Sequence, residues 1–105
     1  MRSAVEIENI EAMRQLEGID DFELRHEIRG LVVGDFVKLT FFSRSRPSTC
    51  ETLTVRIVKI SRAVYHGELV SRPASAALSP IGLEAPLTFT ADHIHSVIKK
   101  AALIA

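Results

Sequence analysis

A chain of 105 residues, 47% hydrophobic and 25% charged, is one globular domain in size and can bury a core without covalent staples. Its lone cysteine, Cys50, excludes an internal disulfide, and no apolar run is long enough to span a bilayer. The charge sums to zero but is divided: residues 1–35 hold nine acids and four bases, and residues 36–105 hold nine bases and four acids.

With no apolar leader segment at its start and a single thiol, the chain is expected to be cytoplasmic, without a membrane partner or a cofactor. A basic half can serve an acidic partner, or the acidic half can pack on it and neutralise it.

The acidic half reads as helix. Ser3 followed by Glu6 fits a capping box that opens a first helix. Ile7, Ile10, Met13 and Leu16 recur three apart and form its expected apolar stripe, and Gly18 stops it. Asp20 or Asp21 then caps a second helix to Arg29, whose contacts are expected from Phe22, Leu24 and Ile28, with Gly30 as the stop. Helices this short and polar are marginal alone, so they should dock on the rest of the chain.

The basic half reads as strands. Gly34 and Asp35 make a turn. In 36–42, Val37, Leu39 and Phe41 alternate with Lys38 and Thr40. After a polar loop at 43–49, Leu53, Val55 and Ile57 point inward and Thr54 and Arg56 outward, and the apolar phase then shifts to Val58 and Ile60. Such a shift predicts a bulge or sharp bend, which a small barrel needs in order to close. Tyr65, Gly67 and Leu69 alternate with His66 and Glu68. A long loop covers 71–85, then Leu87 and Phe89 alternate with Thr88 and Thr90, and a tight turn at 91–93 leads into a last strand at 94–98. The expectation is an α+β fold: two short N-terminal helices (1–30) packed on a five-stranded small antiparallel barrel (31–105), together one domain.

Four segments carry a resemblance. They are Gly34-Asp35-Phe36-Val37-Lys38-Leu39-Thr40-Phe41, Glu51-Thr52-Leu53-Thr54-Val55-Arg56-Ile57, Gly67-Glu68-Leu69-Val70-Ser71-Arg72-Pro73 and Leu87-Thr88-Phe89-Thr90-Ala91-Asp92-His93-Ile94. In order and spacing they resemble small bacterial domains of unknown function with an SH3-like barrel, some found near toxin–immunity systems. The resemblance implies the barrel and suggests an immunity-type role. Two positions depart from it: Thr54 stands where the family has tryptophan, and Ser71 where it has asparagine.

No catalytic constellation can be named. Cys50 has no histidine placed beside it, the serines lack a nucleophile elbow, and no glycine loop cradles phosphate. His66 with Glu68, and His93 with His95, have metal-ligand character, but they lie on strands not expected to be neighbours. A backbone hydrogen bond in the turn is the expected role of His93.

The strongest functional hint is basic. Arg44, Arg46, Arg56 and Arg72, with Thr54, Ser71 and Pro73, form the expected binding surface for an acidic protein partner. Single-stranded nucleic acid is the alternative ligand, weakened by the absence of tryptophan and by phenylalanines at mostly inward positions. The apolar segment 101–105 and a barrel edge make a homodimer a further expected outcome.

Overall fold

The computed structural model describes residues 5–43, 49–74, 78 and 86–98. Strand β1 (Val5–Ile7) is followed by helices α1 (Ile10–Glu17) and α2 (Phe22–Arg29). Five further strands follow: β2 (Phe36–Ser43), β3 (Thr49–Ser61), β4 (Val64–Leu69), β5 (Pro86–Thr90) and β6 (Ile94–Ile98). A 3₁₀ turn, Ala91–His93, joins the last two.

Strands β2 to β5 form an antiparallel meander, and β6 returns to pair antiparallel with β2. This nearly closed small barrel, preceded by two helices, is the α+β architecture that the alternation predicts. Its inward positions are the expected ones: Val37, Leu39, Val55, Ile57, Leu69, Phe89 and Ile94 are essentially inaccessible. The phase shift after Ile57 is a bulge, because Val58 has no ladder partner between the pairs Ile57–Gly67 and Lys59–His66. A second irregularity, at His95, lets β6 follow the bend of β2. An extra residue on one strand increases local twist, and twist is what closes so few strands.

The N-terminal stretch corrects the sequence reading. The expected capping box would make the chain helical directly after Ser3, whereas Val5–Ile7 is a strand paired with Phe41–Ser43. Val5 and Ile7 pack on the core while Glu6 faces out, and the amide of Glu8 continues the pairing by donating to Thr40 O at 2.8 Å. β1 and β6 lie along the same edge of β2, the first beside 41–43 and the second beside 36–39.

Helix α1 starts at Asn9, whose side chain accepts from Ala12 N–H at 2.9 Å. It ends where Gly18, at φ 73°, allows Ile19 N–H to reach Arg14 O and Gly18 N–H to reach Gln15 O. That left-handed turn suits glycine, which has no Cβ to clash. Asp21 caps α2 through Leu24 N–H at 3.0 Å. Leu24 and Ile28, one turn apart, enter the barrel core together with Leu31.

The expected stripe on α1 is only partly core: Ile10 is buried, but Met13 is 42% and Leu16 89% exposed. The reason is geometric. At 3.6 residues per turn, a strict spacing of three slips backward by about 60° per step, so Leu16 lies about 120° round from Ile10. The face that does meet the barrel runs from Ile10 to Arg14, whose Nη2 donates to His95 O at 3.1 Å. Phe22 is likewise corrected: it sits about 160° round the helix from Leu24, and it is 72% exposed.

Candidate functional site

Thr54 and Arg56 alternate with the buried Leu53, Val55 and Ile57, so the pleat of β3 turns them outward. Across the ladder Lys38 lies between Thr54 and Ser96, and Arg56 lies between Phe36 and Glu68. Arg56 Nη2 approaches Glu68 Oε2 at 3.4 Å in an exposed pair, a contact that contributes little in water. Lys38 and Arg72 are exposed, and their side chains have no hydrogen-bond or ion-pair partner among the described residues.

Beyond Leu69 the chain leaves the regular ladder but stays along the edge of β3. Val70 N–H donates to Thr54 O at 2.9 Å, and Thr54 N–H donates to Ser71 Oγ at 2.8 Å. Further on, Ala74 N–H donates to Glu51 Oε1 at 2.9 Å. Two side-chain oxygens thus replace the carbonyls a continuing strand would supply. This lacing brings Thr54, Ser71, Arg72 and Pro73 to one edge, with Arg56 on the adjoining face. Arg44 and Arg46 lie outside the described residues.

The charge division persists on the surface. Two ion pairs stay within their own half: Arg25 with Asp20 in the helices, and Arg56 with Glu68 in the barrel. One side-chain link between the halves is Arg14 to the His95 carbonyl.

The histidines separate. His93 closes the 3₁₀ turn, its Nδ1 accepting from Thr90 N–H at 3.0 Å, which is the backbone bond expected of it. His95 is exposed at the bulge, within 3.2 Å of Ser96 Oγ. His66 stands across from Lys59 and Thr88, two strand positions from Glu68. Among the described residues no group of three His, Cys, Asp or Glu side chains is gathered as a metal would require. Cys50 is an exposed free thiol, paired across the ladder with Phe42.

An open cleft of about 340 Å³ lies between α1, α2 and the 3₁₀ turn, with Arg14, Asp21, Arg25, Arg29 and Asp92 among its walls. Most of these charges have structural work: Arg14 holds His95, Arg25 pairs with Asp20, and Asp21 caps α2.

Sequence reasoning missed two surface features. Phe36 and Phe42 fall on the outward face of β2, half-buried on either side of Lys38; the period-two pattern carried that signal. The tip of the helical pair exposes Leu16, Ile19 and Phe22, a signal readable only from the angular drift of the apolar positions. Compared with family models, with curated proteins and with solved structures, the chain matches none. The described residues define a small, nearly closed antiparallel barrel with basic residues on its outer face and edge, and no helix among them is long and apolar enough to cross a membrane.

Proposed function

We propose that this chain is a non-enzymatic interaction module that binds an acidic protein partner on the outer face and edge of β3. The observation that carries the reading is the set Lys38, Arg56 and Arg72. Lys38 and Arg56 are exposed on the outward face of the sheet and Arg72 on the segment laced to its edge; Lys38 and Arg72 have no side-chain partner among the described residues, and Arg56 is held only by a weak surface pair. Cations placed on strands are positioned without much loss of freedom on binding, and the guanidinium forks of Arg56 and Arg72 match carboxylates in a bidentate manner. Thr54, Ser71 and Pro73 shape the edge, and Arg44 and Arg46 extend the basic character by sequence. Membership of the bacterial SH3-like family and an immunity-type role against a toxin belong to this proposal as what the resemblance implies, and a reducing cytoplasmic setting belongs to it on the single cysteine.

One observation favours the nucleic-acid reading: Phe36 and Phe42 flank Lys38 on the outward face. Both rings are half-buried, which leaves less face for a base to stack on than a single-strand platform uses.

The test is capture from lysate with and without nuclease, using wild type and Arg56→Glu with Arg72→Glu. Wild type should retain an acidic protein in stoichiometric amount through nuclease treatment, and the double variant should lose it while keeping its circular dichroism. Equal capture by the double variant sinks the reading. Loss of bound material on nuclease treatment, with steep salt dependence, transfers the face to nucleic acid.

A further inference from the structure

We infer that the tip of the α1–α2 pair is a second interaction surface, built for a basic amphipathic helix of another protein. It is independent of the barrel face and opposite to it in charge.

Leu16 is 89%, Phe22 72% and Ile19 49% exposed, and a single left-handed turn at Gly18 keeps them close along the chain. Soluble domains scatter single apolar residues over their surfaces, but a cluster of large ones ringed by charge marks a contact site. The turn that presents them is rigid: Gly18 and Ile19 amides are both bonded to the end of α1, and Asp21 caps α2 immediately afterwards. Phe22 is held in place by Arg25, whose guanidinium lies 4.8 Å from the ring centroid and is itself paired with Asp20.

The rim fixes the chemistry of the occupant. Residues 16–27 carry five carboxylates (Glu17, Asp20, Asp21, Glu23 and Glu27) against one arginine. Asp20 and Asp21 are engaged in the ion pair and the cap and Glu27 has a partner of its own, whereas Glu17 and Glu23 have no side-chain partner among the described residues. Phe22, Glu23, His26 and Glu27 line a shallow groove of about 360 Å³ along α2. Exposed Leu16, Ile19 and Phe22, close along the chain and alternating with Glu17 and Glu23, fit a helix with leucine or isoleucine on one face and lysine or arginine beside it, the helix-in-groove mode of recognition. The acidic edge would steer that segment and select it against an acidic or neutral one.

The probe is a synthetic peptide of roughly 18 residues, long enough to become helical on binding, with leucines on one helical face and lysines elsewhere. A control peptide carries glutamate in place of lysine. Binding to the full chain is followed by fluorescence anisotropy, and the site is mapped by amide chemical-shift changes. The lysine peptide should bind, shift residues 16–27 and weaken as salt rises, and the glutamate peptide should not bind. Leu16→Ala with Phe22→Ala keeps every charge and should weaken binding about tenfold or more, because each side chain contributes buried apolar area. Both side chains being exposed, that variant should fold normally, which its circular dichroism checks. Undiminished binding by the variant, or shifts confined to other acidic residues, would show mere charge attraction and overturn the inference. No binding of the lysine peptide overturns it as well, as does a wild-type dimer that Leu16→Ala with Phe22→Ala dissociates, since the patch would then belong to a second copy.

Discussion

Gly67 is the position where the barrel wall tolerates least. It lies on β4 between the Tyr65–Phe89 ring stack and the paired wall of β3, and it is buried. A Cβ at this position would stand 2.5 Å from Val55 Cγ1, 2.9 Å from the Arg56 carbonyl oxygen and 3.2 Å from Phe89 Cε1. Ordinary contact for such atoms begins near 3.5 Å, so Gly67→Ala forces movement on three sides. The Arg56 oxygen belongs to the sheet backbone, and Val55 is β-branched with little rotameric freedom, so neither yields cheaply. Overpacking of this kind costs about 1–3 kcal/mol, and the upper half of that range applies because a backbone atom is among the obstacles. For a domain of this size that corresponds to a fall in Tm on the order of 10–20 °C. Urea and thermal unfolding followed by circular dichroism would measure it, and Tyr65, the only tyrosine, reports locally in a chain without tryptophan. Val55→Ala removes the 2.5 Å clash but leaves the 2.9 Å one. The double variant should therefore be more stable than the two single losses added together, by about 1 kcal/mol. A Gly67→Ala protein within about 0.5 kcal/mol of the parent, the usual size of a harmless surface change, would refute the close approach of β3, β4 and β5.

Two further changes probe how the chain is laced and turned. Ser71→Ala removes the acceptor of the half-buried Thr54 amide and should cost about 1–2 kcal/mol in urea unfolding, with faster hydrogen exchange at Thr54; unchanged exchange there would mean that the hydroxyl does not hold the edge. Arg62 sits at φ 57° in the two-residue turn between β3 and β4, a conformation that costs an L-residue energy, so Arg62→Gly should raise stability by about 0.5–1 kcal/mol. A loss of stability would show that the arginine side chain contributes more than its backbone strain costs.

These positions show what kind of information a sequence carries. The strand faces were legible because Val37, Leu39 and Phe41 on β2, Leu53, Val55 and Ile57 on β3, and Leu87 and Phe89 on β5 fall in period two. The bulge at Val58 was legible as the break in that period. Caps and stops at Asp21 and Gly18 were legible because their hydrogen bonds reach only three to five residues along the chain. Val5-Glu6-Ile7 also alternates, but a three-residue strand is indistinguishable from the start of a helix until its partner, Phe41–Ser43, is in place. Leu78, wholly buried in the core, gave no signal inside a loop rich in serine and alanine. On the basic surface, Arg56 and Thr54 were readable as outward residues, but the engagement of Thr54 with Ser71 and of Arg56 with Glu68 was not.

Local chemistry alone therefore determined where helices cap, which strand faces turn inward, and that charge divides between the two halves, because each depends on neighbours within a few bonds or on a repeating period. Only the folded chain decided that Gly67 must lack a side chain, that Ser71 completes the hydrogen bonding of Thr54, and that Leu16 and Phe22 remain in solvent while Leu24 and Ile28 enter the core. The first two rest on contacts between segments far apart in sequence, which no local pattern specifies; the third rests on which face of the helical period the curved sheet meets, and the period alone gives only the angles between residues.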